Sequence, residues 1–222
     1  GASGLVAKPE NIDHAIKHFT SALQAKESEE EAAVYLMKCY YFKGTFVETD
    51  TAKRLAVYEL SRVLGEKMTA KYPKSAPIIY WYMSNLAKWG EASGIMKAAK
   101  EGLADRLKEL SEKVIALNPR YRNGAGYRML GIIHYKTPYI PFLLSWPSNE
   151  EAIANLEKCL AMDPNDLMAN LYLGQVLYDE GNEDRAIEVL QKVADSKPGA
   201  IEFLEDSKDI KEAKELLVKY KK

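Results

Sequence analysis

The clearest pattern of apolar and polar positions runs from Leu167 to Pro198, LMANLYLGQVLYDEGNEDRAIEVLQKVADSKP. With Leu167 as position 1, Leu173 and Gly174 fall at positions 7 and 8, Gly181 at 15, Ala186 at 20, Leu190 at 24 and Pro198 at 32. Apolar residues recur at helical spacing on either side of Gly181, so the stretch predicts two antiparallel helices joined by a short turn. Small residues at Gly174 and Ala186 let the two helices approach closely. Gly181 suits the left-handed conformation that ends a helix. Pro198 cannot continue the second helix and biases its predecessor away from the helical region. One such hairpin cannot bury its apolar face alone, so the rest of the chain is expected to stack against it.

The same pattern is legible upstream. Residues 11–27 read as a half unit, with Asn11 capping a helix over about 12–25 and Ala15, Phe19 and Ala22 at the spacing of a second helix. Unit 29–73 takes Glu30 as position 1, which puts Leu36, Met37 and Gly44 at 7, 8 and 15. Unit 75–119 takes Ala76, which puts Tyr82, Met83 and Gly90 in those slots. Gly44 to Pro73 and Gly90 to Pro119 each span 29 residues, against 17 from Gly181 to Pro198. Both units therefore predict lengthened second helices, near 51–71 and 94–117, lying side by side. Unit 124–164 carries Leu130 and Gly131 at 7 and 8, then breaks at KTPYIPFLLSWPS, where Pro138, Pro141 and Pro147 forbid a regular helix. Ser148 with Glu151 three residues on reads as a capping box that restarts it. A capping helix over 207–220, begun by Ser207, closes the array. The total is about ten helices without a period-2 strand pattern, which makes the fold class all-α.

Composition narrows the function classes. The 31 basic and 32 acidic residues give a net charge of −1, which argues against a general nucleic-acid surface or an anionic-membrane surface. No apolar run reaches the ~18 residues of a membrane span. Cys39 and Cys159 both fall in helical patterns and read as buried free thiols, with a disulfide left open. The chain starts GASG, which reads as processed or truncated.

The positions of Leu173, Gly174, Gly181, Ala186, Leu190 and Pro198 resemble the tetratricopeptide (TPR) repeat. The run from Tyr40 to Gly94, with its aromatic–Gly–Phe turn, AKRL helix start and YWY…KWG helix, resembles the T-component of TPR-associated TRAP transporters. From Tyr80 onward, YWY, ALNP, a Gly–Ile pair and a Pro-bounded apolar insert before EEAI resemble the animal regulators of microtubule dynamics. These resemblances imply a single TPR-like α-solenoid domain over 1–222 without catalytic activity. The TRAP resemblance further implies an exported, periplasmic protein beside a solute-binding subunit.

Candidate chemistry is sparse. No catalytic motif is present and no cofactor is expected. His14 and His18 stand four apart on one helix, but no third metal ligand is near them in sequence, so no metal is expected. The glycines of NGAGYRMLG follow no strand and suit helix packing rather than a dinucleotide. Trp81 and Trp89 share a helix, and at least one is expected in the core. In the TPR pattern, positions 2, 5, 9, 12 and 13 of the first helices face the concave groove. That register selects Lys38 and Tyr41; Tyr80, Ser84 and Lys88; Arg128, Ile132 and Tyr135; and Gln175 and Tyr178. Val34, Ala87, Lys136 and Leu171 take further slots. Tyrosines and cations with almost no carboxylate suit a peptide, a partner protein or a small amphipathic anion. The alternative is a pure assembly scaffold whose groove is filled by its own helices. The apolar insert around 139–146 is expected to pack on the array or to mediate homo-oligomerisation.

Overall fold

The computed structural model describes residues 6–220 apart from 27, 141 and 143. The initial GASG, Pro141 of the insert and the last two lysines lie outside the described residues. Eleven α-helices and no named strand occur among the described residues. The chain forms two compact units, Gly1–Asn118 and Pro119–Lys222. No helix is long and apolar enough to cross a membrane among the described residues.

The first unit opens with α1 (Pro9–Ala25). It starts three residues before the expected position. Pro9 at the helix start, with its φ already near the helical value, opens it there, and Asn11 is not the cap. Three glutamates fill the first turn of α2 (Glu29–Phe42), where the helix dipole favours them. A π-helical turn follows over Lys43–Val47. Gly44 lies inside that turn, and a Cβ there would come within 2.4 Å of the Tyr58 ring. Its glycine therefore serves close approach to a fully buried tyrosine. Asp50 caps α3 (Thr51–Lys71) by accepting from the Lys53 N–H at 2.9 Å, and Ser75 caps α4 (Ala76–Ser93) by accepting from the Ile78 N–H at 3.3 Å.

The second long helix expected over 94–117 is divided into α5 (Ile95–Lys100) and α6 (Leu103–Leu117). Gly102 sits between them at φ +63 and ends the shorter piece in the left-handed region. The side-by-side packing of the lengthened helices is likewise corrected. α3 and α6 each pack on α4 rather than chiefly on one another. They leave a shallow groove between them, lined by Glu66, Thr69, Ile79, Arg106 and Leu110. The core of this unit holds Met37, Phe46, Tyr58, Met68, Ile78, Ile79, Met83 and Val114.

The second unit begins with a 3-10 turn at Tyr121–Asn123, then α7 (Ala125–Lys136) and α8 (Asn149–Leu160). α9 (Leu167–Asp179), α10 (Glu183–Ala194) and α11 (Phe203–Tyr220) complete it. The small-to-large contact read from the sequence recurs in both hairpins. A Cβ at Gly174 would lie 2.5 Å from Leu190 Cγ, and one at Gly131 would lie 2.7 Å from Leu156 Cγ. Gly181 adopts φ +78, as its turn requires. Ser148 caps α8 by accepting from the Glu151 N–H at 3.3 Å. α11 starts one turn before Ser207, whose hydroxyl donates back to the Phe203 carbonyl instead of capping. Within the insert, Ile140 and Leu144 exchange backbone bonds of 2.9 and 2.8 Å in an isolated antiparallel bridge. Leu144 is buried and Trp146 packs edge-on against His134 at 5.1 Å, whereas Tyr139 and Phe142 stand exposed.

Candidate binding faces

Lys38 and Lys88 belong to the first unit and Arg128 to the second, so the predicted residues divide between the two units. In the first unit, a buried amide sets the spacing of α2 and α4. Asn85, fully buried, donates to the Met37 carbonyl of α2 at 3.0 Å and to the Trp81 carbonyl of its own helix at 2.9 Å. Beside this tie runs a chain of aromatic rings. Phe19 stacks on Tyr35 at 5.1 Å, and Trp81 meets Tyr41 at 5.7 Å and Tyr80 at 5.4 Å, both edge to face. The Lys38 ammonium joins the two groups, 4.6 Å from the Tyr35 ring centre and 5.4 Å from that of Trp81. Rings on two sides favour the charged ammonium through their quadrupoles.

The other predicted members of this face have more local engagements. Tyr80 and Ser84 are buried, and Ser84 donates to the Tyr80 carbonyl at 2.9 Å. Val34 is buried and Ala87 half-buried. Lys88 pairs with Glu91 on its own helix at 2.8 Å. Trp89 is the core tryptophan, 3% exposed, while Trp81 is half-buried on the face. Tyr35 and Trp81 both stand at position 6 of their units, a slot outside the five that were read as groove-lining. Tyr172 holds that slot in the unit that starts at Leu167, so a recurrent aromatic at position 6 was the available signal.

In the second unit, Arg128 pairs with Asp166, which also caps α9 by accepting from the Ala169 N–H at 2.8 Å. Both side chains are nearly buried, at 11% and 7% exposure, so the arginine charge is matched in place. Cys159 lies beside this pair, 3.8 Å from Asp166 Oδ2, and burial first, then the carboxylate, pushes its thiol up to about 12. Ile132 packs against the core of α8 and α9. Tyr135 donates to Asp179 at 2.7 Å, and burial together with that carboxylate raises its phenol above the ordinary value. Lys136 lies over the Tyr135 and Tyr172 rings. α11 engages the rest. Leu171 is buried in a cluster with Ile210, Ala213 and Leu217, Gln175 donates to Glu212 at 3.4 Å, and Tyr178 stacks on Tyr220 at 3.5 Å with rings 4° from parallel. In this unit the predicted lining positions 5, 9 and 12 of α9 are met by the chain's own last helix.

His14 and His18 are exposed on α1, and no group of three or more metal-ligating side chains occurs among the described residues. Both cysteines are free and buried.

Residues 2–221 match the family described as Regulator of microtubule dynamics protein 1-3. The chain belongs to that family. The match covers nearly the whole chain, where the sequence motifs carried the resemblance from Tyr80 onward. Among curated proteins, no sequence match reaches significance. Several solved structures share the fold of this microtubule-regulator family member. A thermophilic TPR protein of Thermus thermophilus superposes with a TM-score of 0.64 at 17% identity, over 93% of this chain and 91% of that one. MamA gives 0.52 at 19% identity, over 82% of this chain and 85% of its own. Yeast Tom70 gives 0.59 at 18% identity, over 96% of this chain and 38% of Tom70. At these identities the likeness establishes the fold, a TPR-like helical repeat.

Proposed function

We propose that this family member is a non-enzymatic binding protein that holds a partner protein or peptide against the face of α1, α2 and α4. The observation that carries this reading is Lys38 set beside the rings of Tyr35 and Trp81, with Tyr41 and Phe19 continuing the aromatic surface and the buried Tyr80 backing Trp81. Such a surface suits a segment that combines carboxylates with apolar side chains, or a small amphipathic anion. The second unit supports binding less directly, because Asp166 holds Arg128 and α11 engages the α9 positions.

The two resemblances suggest two partners. The family match over residues 2–221 favours polymerised tubulin or a protein bound to it. The likeness of residues 40–94 to a TRAP T-component favours a solute-binding subunit. Co-sedimentation with microtubules and co-purification with a TRAP solute-binding protein separate these. The binding reading itself is tested by fluorescence anisotropy with labelled acidic–aromatic and basic–aromatic peptides. The acidic peptides are expected to bind and to be lost with Lys38→Glu; equal binding of both classes, or no effect of Lys38→Glu, would overturn it.

A further inference from the structure

The longest helix among the described residues, α3, carries a largely apolar stripe on the side that faces solvent. Ala52, Ala56, Leu60, Val63, Lys67 and Ala70 are all exposed, Leu60 by 56% and Val63 by 58%. At ~100° per residue these six fall within an arc of about 80°. The opposite side, with Val57, Tyr58, Ser61, Gly65 and Met68, is buried within the unit. A surface helix normally turns its polar residues outward, yet here Lys67 is the one charge in the outward stripe. The stripe belongs to the helix whose hairpin is lengthened relative to the hairpin of Leu167–Pro198, and the proposed binding face leaves it unused.

The spacing of the stripe and the charges beside it point to one kind of occupant. From Ala56 the positions 56, 60, 63, 67 and 70 alternate steps of four and three, the seam of a two-helix coiled coil. Glu59 and Glu66 border the seam on one side and Lys71 on the other, while Lys53, seven residues before Leu60, falls in the seam itself. When two such helices run parallel about a twofold axis, Glu66 of each meets Lys71 of its mate. Glu66 precedes Lys71 by five residues, the spacing at which border charges face each other across a parallel pair. An antiparallel pair would set like charges together.

These charges have partners within the chain. Arg62 bonds both Glu59 and Glu66, and Lys71 pairs with Glu29. Glu59 is held by Arg62 through both carboxylate oxygens and stays within the chain, whereas the Glu66 and Lys71 side chains are 51% and 49% exposed and each makes a single-contact pair that can be exchanged. Lys67 in the middle of the seam fixes register, and it and Lys53 weaken the association. We propose that two copies of this chain associate through α3, parallel and in register, as a weak homodimer with Leu60 and Val63 at its centre.

The test uses the full chain. Sedimentation equilibrium from low micromolar to near-millimolar protein is expected to show the mass rising from one chain toward two. Leu60→Glu with Val63→Glu is expected to hold the mass at one chain with an unchanged melting curve. A wild type that stays monomeric throughout, or a double variant that dimerises as well as the wild type, would overturn the proposal. Should that variant unfold, Lys67→Cys decides. Parallel, in-register helices bring the two introduced thiols together, so mild air oxidation should give a covalent dimer on a non-reducing gel. Absence of that dimer at concentrations where the wild type associates would also overturn it.

Discussion

Replacing Gly174 with alanine tests the hairpin packing most sharply, because two known effects oppose each other there. An added Cβ would lie 2.5 Å from Leu190 Cγ, 2.8 Å from Leu190 Cδ2 and 3.4 Å from the Ala186 carbonyl oxygen. Carbon atoms in contact prefer about 3.5–4.0 Å, so something must move by roughly 1 Å. Leu190 is fully buried and has little room to yield. Overpacking of this kind costs ~1–3 kcal/mol, while alanine in a helix interior gains about 1 kcal/mol over glycine. The net expectation is a loss of ~1 kcal/mol, or roughly 2–4 °C in melting temperature for a chain of this size. Gly174→Leu should lose more. Thermal melts followed by circular dichroism measure both. The mechanism has its own signature in a double-mutant cycle. Leu190→Ala alone costs ~2–5 kcal/mol, but combined with Gly174→Ala it removes the atoms in collision. The pair should therefore be less destabilised than the sum of the singles by about 1 kcal/mol or more. A raised melting temperature for Gly174→Ala, or strict additivity with Leu190→Ala, would refute the packing argument.

Two further predictions concern titrating groups. Burial pushes the Cys39 thiol up to about 11 and the Cys159 thiol up to about 12, so native protein at mildly alkaline pH should react slowly with a thiol reagent and denatured protein rapidly, with both cysteines labelled; fast native labelling would contradict the burial. Burial first, then Glu202 and Asp206, raises the Glu205 carboxyl above its ordinary value of 4.5. A raised folded-state value favours folding fully below the unfolded value, and that advantage is lost as pH rises through the folded one. Glu205→Gln should therefore stabilise the protein at neutral pH more than near pH 4, and melts showing the reverse order would count against it.

Much of the fold was legible because helix packing leaves local marks. Gly174, Ala186 and Leu190 mark a close helix crossing, and Gly131, Ala152 and Leu156 mark another with nine residues inserted between its two helices; the structure places the residues of each set against each other. The break at Gly102 was hidden, since a glycine inside a helical pattern is tolerated at a cost of about 1 kcal/mol and reads as continuous helix. Gly44 holds the slot of a turn glycine in sequence, but it lies in a π-helical continuation of α2 without a left-handed backbone, and its closeness to Tyr58 depends on that π-helical turn, which periodicity does not reveal. The candidate site was less legible. The register marked Lys38 and Tyr41 for this face but passed over Tyr35 and Trp81, which hold the lysine. Arg128 looked like a ligand-binding cation in sequence, yet its carboxylate comes from Asp166, 38 residues away, which doubles as a helix cap. The stacking of Tyr178 on Tyr220 likewise joins distant residues, and only the packing of α11 brings them together.

The central claim, that the face of α1, α2 and α4 recognises a carboxylate-bearing partner segment, is tested most directly by selecting random peptides on the immobilised full chain. The account predicts enrichment of peptides that join acidic to aromatic or aliphatic residues, amide protection on those three helices when such a peptide binds, and loss of binding with Lys38→Glu and Trp81→Ala. Enrichment of basic peptides, or acidic peptides that bind both variants as well as the wild type, would contradict it.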